Sequence, residues 1–150
     1  MSKVGYPVWW DSTVTIYNKY VDKQTDITTW YRTVVTDCFW KNVSDKLTIG
    51  QTVLETNNII CRIPKDERYL PKDKWILVPS DSKSSYFTLG VGDIIINGEV
   101  TDDINEYLSG HRSTDVIAKY KELQGCMEVT VASDNTGIGR CEEHYYAKGI

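Results

Sequence analysis

Val14–Val43 read VTIYNKYVDKQTDITTWYRTVVTDCFWKNV, two aromatic-rich, β-favouring runs around the polar turn Asp22-Lys23-Gln24-Thr25-Asp26. In the first run Val14 and Ile16 point one way and Thr15 and Tyr17 the other, which is strand periodicity. The second, Trp30 to Trp40, alternates less cleanly, and Thr36-Asp37 within it marks a bulge or bend. The stretch predicts that the fold opens with a hairpin. It carries no catalytic group.

Short strand-like runs continue downstream. Leu47 to Ile63 is punctuated by Gly50 and Asn57-Asn58, and Asn58 to Ile63 reads as a short strand stopped by Pro64. Tyr86 to Val100 (YFTLGVGDIIINGEV) predicts a strand to Leu89, a turn over Gly90-Val91-Gly92-Asp93, and a strand at Ile94-Ile95-Ile96. Asn97-Gly98 then reads as a type I′ hairpin signal, with Glu99-Val100 starting the return. Three consecutive Ile imply a strand covered on both faces. One helix is expected near 114–124, capped by Ser113 and closed by Gly125, with Val116, Ile117, Tyr120 and Leu123 on its apolar face. Cys126 to Ala132 alternates Met127, Val129 and Val131 against Glu128 and Thr130, Ser133–Gly137 turns, and Ile138 to Ala147 returns.

Between these lies residues 64–85, broken by Pro64, Pro71 and Pro79 and rich in charge. Only Trp75-Ile76-Leu77-Val78 reads as a brief strand. Loops of this length are uncommon in compact domains and tend to be functional. This one holds no His or Cys, so contact rather than catalysis is its expected role. The sum is a mainly β fold, a small β-barrel or sandwich of about seven to nine short strands with one short helix. At 150 residues a single domain is expected over 1–150, an arm at 1–12 preceding a barrel domain at 13–149. Tyr6-Pro7-Val8-Trp9-Trp10 makes the arm apolar, so it is expected to pack on its own domain or a neighbour.

Net charge is −4, with a sequence pI near 5.2, against a general nucleic-acid binder. Tyr17-Asn18-Lys19-Tyr20 is the best local candidate for stacking bases. No apolar run is long enough for a membrane span, and the N-terminal residues lack the apolar core of a signal peptide, so an intracellular product is expected. Cys38, Cys61, Cys126 and Cys141 show no C-x-x-C spacing and read as reduced, buried thiols; neither metal nor cofactor is implied. His111 sits in a polar link and reads as solvated. His144 follows Glu142-Glu143, but on a strand only Glu142 shares its face, and Cys141 lies opposite. Gly90-x-Gly92 lacks the Lys-Ser/Thr and the helix of a phosphate loop. Asp102-Asp103 with Asp134 lacks the spacing of a cation loop. No catalytic residue is assigned. The Trp and Tyr content (five and ten, against two Phe) suits half-buried sheet faces and interfaces.

Several segments carry a resemblance in order along 14–149. They are Val14–Tyr20 with its polar turn; Trp30–Val35 leading to Cys38-Phe39-Trp40; the strand ending Arg62-Ile63-Pro64; Leu89–Ile95 with Asn97–Val100; and the Ser133-Asp134-Asn135 turn with His144–Gly149. As a set they resemble the head–tail joining (head closure or stopper) proteins of tailed phages and prophages of Gram-positive bacteria. The resemblance implies a non-enzymatic virion protein that forms a ring, hexameric in the family, below the portal. It would contact portal, adaptor and tail proteins and wall a channel through which DNA slides without sequence-specific binding. Trp9, Trp10, Arg68, Tyr69, Lys72, Lys74 and Trp75 are the candidate inter-subunit or partner contacts, with loop 64–85 meeting the neighbouring ring or narrowing the channel. The Trp-rich arm and the length of 64–85 depart from the family pattern. A tail-terminator or other tail-completion protein, and a small OB-like binding module, are the alternatives.

Overall fold

The computed structural model describes residues 6–137 and 143–150. Six antiparallel strands close into a barrel in the order β1-β2-β3-β6-β5-β4: β1 (Ser12–Val21), β2 (Thr28–Ile49), β3 (Thr52–Pro64), β4 (Ile94–Asn97), β5 (Cys126–Asn135) and β6 (His144–Gly149). The expected small barrel is therefore present. It is made of six strands because Trp30–Trp40 runs on unbroken to Ile49 and Asn57-Asn58 stays inside β3. Both asparagines pair with β2 across the β2–β3 hairpin, Asn58 opposite Val43 and Asn57 opposite Ser44.

The opening hairpin turns at residues 22–26, where Asp22 Oδ1 accepts from the Gln24 N–H at 2.8 Å and Asp26 adopts φ 60°. Aspartate tolerates this left-handed conformation better than most residues. The bulge expected at Thr36-Asp37 is present. Val14 pairs with Val35 but Ser12 with Cys38, so β2 carries one extra residue there, and Asp37 again sits at φ 60°.

Two apolar cores share the strands β1 and β4. Val14, Ile16, Val35, Cys38, Cys61, Ile63, Phe87, Leu89, Ile95, Met127, Val129, Tyr145 and Ala147 fill the barrel interior. Tyr17, Ile94, Ile96, Val100, Ile104, Val116, Tyr120 and Cys126 form a second core under α2 (Ser113–Leu123) and the 98–112 link. The triple Ile is thus covered on both faces, as its composition predicts. Gly149 lets β6 approach β5: a Cβ there would lie 2.2 Å from the Glu128 carbonyl oxygen.

Four local expectations are corrected. Asn97-Gly98 makes no hairpin. β4 is flanked by β1 and β5, so no edge is open to a returning strand; Gly98, at φ 109°, turns the chain out into the link. Ser113 does not cap α2. Arg112 is the N-cap residue, its N–H bonding the Asp115 carboxylate at 3.2 Å, while Glu106 accepts the Ser113 N–H at 2.8 Å. Leu123 is exposed because the last turn of α2 passes the edge of the second core. In β5 the strand runs past the expected turn at Ser133 to Asn135. A bulge between Val129 and Val131 breaks the alternation and leaves Val131 outside. Of the return predicted from Ile138, residues 138–142 lie outside the described residues.

Residues 64–93 are built into the domain. Trp75, expected in a strand, ends the short helix α1 (Lys72–Trp75). It is fully buried, packing edge-on to Tyr20 at 6.2 Å and Tyr31 at 5.7 Å. Lys83 is buried with it. Its ammonium donates to the carbonyls of Ile76 and Val78 at 3.1 and 2.6 Å and sits 4.4 Å from the Tyr20 ring and 5.1 Å from the Trp75 ring. Two carbonyls and two π faces replace the water this cation loses. Phe87 and Leu89 then enter the interior core.

Asp93 anchors the segment. Its fully buried carboxylate accepts from the backbone of Lys19 at 2.9 Å, the backbone of Gly90 at 2.9 Å and Asn18 Nδ2 at 3.0 Å. Asn18, itself buried, also donates to the Thr88 carbonyl at 2.6 Å and accepts the Thr88 N–H at 3.2 Å. Lys72 lies 3.9 Å from the carboxylate. Burial nevertheless holds the Asp93 pKa above the ordinary aspartate value, against the opposing pull of Lys72 and these donors.

Asp93→Asn places an amide N–H2 where donors converge and is expected to cost about 1–3 kcal/mol, read by denaturant unfolding. Because the folded-state pKa is raised, the stability contributed by Asp93 is full below the unfolded pKa and is lost as pH rises through the folded value. The stability of wild type relative to Asp93→Asn should therefore increase as pH falls below neutrality; a gap that narrows would contradict the assignment. Trp75→Ala should cost about 3–5 kcal/mol, the range for a buried aromatic, whereas a loop serving only partner contacts would leave stability unchanged.

Candidate functional site

One outer face of the barrel is built where β2, β3 and β6 lie side by side. The register places Phe39 opposite Arg62 and Arg62 opposite Tyr146, so the three side chains stand in one cross-strand row. The Arg62 guanidinium lies 5.2 Å from the Phe39 ring and 6.0 Å from the Tyr146 ring. Two residues further along the same strands, Lys41 faces Ile60 and Ile60 faces Lys148. By strand periodicity this second row shares the outer face.

The arm folds over one side of this face. Trp10 is buried, 6.1 Å from Phe39 and edge-on to His144 at 5.8 Å, and its N–H bonds the Pro7 carbonyl at 3.0 Å. Tyr6 donates its hydroxyl to the Glu143 carbonyl and accepts the Lys65 N–H at 3.1 Å. Adjacent Trp9 is left 65% exposed. The resulting groove, about 660 Å³, is lined by Pro7, Trp9, Trp10, Phe39, Arg62, Ser133, Asn135, His144 and Tyr146. Asn135 Nδ2 lies 3.3 Å from His144 Nε2.

The seven expected contact residues divide between interior and surface. Trp10 and Trp75 serve the chain's own packing. Arg68 forms a two-pronged ion pair with Asp66 at 2.9 and 3.1 Å and reaches the Val34 carbonyl at 3.2 Å. Tyr69 stacks on Tyr145 at 3.8 Å, and burial pushes its hydroxyl up to about 12. Lys72 spans Asp93 and the Lys19 carbonyl. Trp9 and Lys74 present exposed side chains.

Among the described residues the potential catalytic groups are kept apart. Cys38 and Cys61 point into the barrel core while His144 faces out; Cys141 and Glu142 lie outside the described residues. The adjacent Cys61 thiol and then burial hold the Cys38 thiol well above its usual range. Burial pushes Cys126 up to about 12. Asp102 is engaged by the Tyr120 hydroxyl at 2.6 Å and Lys119 at 2.9 Å, and these bonds lower its pKa; they pin α2 to the link. Asp134 turns back on Thr136. Among the described residues no three His, Cys, Asp or Glu side chains gather as a metal cluster. In the proposed base-stacking stretch, Tyr17 and Asn18 are buried, which removes them from any ligand. No described helix is long and apolar enough to cross a membrane.

Sequence reasoning missed the outer face because its members, Phe39, Lys41, Arg62, Tyr146 and Lys148, are scattered over three strands. The aromatic–basic–aromatic row exists only in the register.

Cys38, Cys61 and Cys126 should resist a maleimide at about pH 8, where an unperturbed thiol is partly ionised, until the protein is unfolded. Rapid native labelling of any of the three, located by peptide mass mapping, would contradict their burial.

The chain belongs to the family described as "Family of unknown function (DUF6751)", whose model matches residues 9–150. No curated protein and no solved structure matches it.

Proposed function

We propose that this protein is a structural assembly subunit, and more specifically a head–tail connector component of a tailed phage or prophage: a head closure or stopper ring seated below the portal. The β2–β3 ribbon carries the assembly part of this reading. β3 pairs with β6 only from Ile59 to Pro64, whereas β2 and β3 continue to pair from Val43–Asn58 out to Ile49–Thr52. At 3.3–3.4 Å per residue this ribbon reaches about 23 Å beyond the barrel wall. A two-stranded ribbon without a third strand or a covering layer is marginal in water, and both its edges offer backbone groups for pairing. Ile49 and Val53 near its tip are 59% and 60% exposed. Such an arm gains most when a neighbouring subunit covers it.

The phage part rests on the ordered resemblance of residues 14–149 described above, together with the absence of a gathered catalytic set among the described residues. A ring of such barrels, joined by their ribbons, would leave loop 64–93 free to do what its packing indicates, which is to stabilise each subunit.

Native mass measurement of the purified protein, alone and mixed with a portal protein from the same genome, is expected to show a closed ring or a ring–portal complex. Ile49→Asp with Val53→Asp should abolish that assembly while leaving the unfolding midpoint of the monomer unchanged. A strict monomer at every concentration, with portal present or absent, would overturn the proposal.

A further inference from the structure

The outer face of β2, β3 and β6 sets cations among rings, with Arg62 against Phe39 and Tyr146. Among the described residues four ion pairs form: Lys65 with Glu143, Arg68 with Asp66, Lys72 with Asp93, and Lys119 with Asp102. Lys41, Arg62 and Lys148 are in none of them. Glu143, the carboxylate nearest Lys148 in sequence, is held by Lys65 at 3.3 Å, and Asp66, the nearest to Arg62, by Arg68 at 2.9 Å. The three cations occupy neighbouring positions of the register: Arg62 in one row, Lys41 and Lys148 on either side of Ile60 in the next. Rows of one face are about 7 Å apart and adjacent strands about 4.8 Å. The three cations thus form a triangle with sides of about 8–10 Å, which a polyanion crossing the face would meet.

The rings are placed to complement those charges. Phe39 and Tyr146 flank the guanidinium, Trp9 is exposed at the groove mouth, and Ser133 and Asn135 on β5 add hydroxyl and amide groups alongside. Cations at regular intervals, interleaved with aromatic faces, fit a ligand that alternates anionic groups with flat rings. A duplex hides its rings. An acidic peptide has the charges without a ring at each repeat.

We infer that this face binds single-stranded nucleic acid, with Arg62, Lys41 and Lys148 on phosphates and Trp9, Phe39 and Tyr146 against bases. This goes beyond the assembly reading and does not depend on it. The net charge of −4 confines the attraction to this patch and makes it sensitive to salt.

The test is fluorescence anisotropy of a labelled oligothymidylate of about 20 nucleotides, long enough for one such platform, titrated with the full-length protein. At about 50 mM salt binding is expected, with quenching of tryptophan emission and a loss of affinity as salt is raised. Arg62→Gln combined with Lys148→Gln should weaken it at least about tenfold, two phosphate contacts' worth by the salt-linked electrostatic term. Lys23→Gln, in the turn at 22–26, should leave it unchanged. Trp9→Ala, at an exposed position that folding does not need, should weaken binding and remove most of the quenching. No binding at low salt, equal affinity for duplex of the same length, equally effective competition by polyglutamate, or binding untouched by the double variant would each overturn the assignment. Because the readout is affinity and not mass, a monomer that still binds the strand sinks the ring and leaves this inference standing.

Discussion

A carboxylate taken out of water must find donors for its oxygens, and Asp93 finds three of them on two pieces of chain: the Asn18 amide and Lys19 backbone of β1 and the Gly90 backbone of its own turn. That constraint locates everything that follows it. The turn at 90–93 is held against β1, so Ile94–Ile96 can only enter the sheet between β1 and β5. Once there, alternation sends Ile95 into the barrel and Ile94 and Ile96 into the core beneath α2. An amide would turn an N–H2 toward these donors, and burial costs the ion enough to raise its pKa. Each oxygen is spoken for, the condition under which a buried ion is tolerable.

The remaining elements separate into those that close the fold and those that leave it. Residues 64–93 close it, through Trp75 and Lys83 against Tyr20 and Phe87 and Leu89 in the interior. The arm closes it from outside, through Trp10 on Phe39 and His144. The outer half of the β2–β3 ribbon, the tip of the arm at Trp9 and the basic face of β2, β3 and β6 have chemistry left over for something else. A ribbon with two open edges suits a protein neighbour, and cations between rings suit a polyanion carrying bases. The two surfaces share strands but not residues.

Much of this was legible one segment at a time. The hairpin of 14–43, its bulge at Thr36-Asp37, the doubly covered Ile94–Ile96 and the helix near 114–124 each follow from local pattern, because each depends on neighbours within a few residues. What failed were inferences about where a segment goes. Asn97-Gly98 has hairpin chemistry, but a strand already paired on both sides has nowhere to receive the return. Trp75-Ile76-Leu77-Val78 has strand composition, yet Pro71 opens a helical turn and the indole is drawn into a cage made by Tyr20, Tyr31 and Lys83 from distant parts of the chain. The charge and proline content of 64–85 read as a contact loop, while Trp75 and Lys83 within it are among the most buried side chains in the protein. The candidate face was invisible for a similar reason: Arg62 gains its two rings and its two companion lysines only through register.

The central claim is that a finished barrel, locked by Asp93 and β4, carries an unfinished ribbon. Amide hydrogen exchange measured on the free protein and on the assembled particle tests it most directly, since exchange reports local stability segment by segment. Ile94–Asn97 should be among the slowest amides in both states, and Val43–Asn58 should exchange much faster than the barrel in the dilute protein and slow sharply on assembly. A ribbon as protected as β4 in the dilute protein, or one whose exchange is the same in both states, would contradict the account.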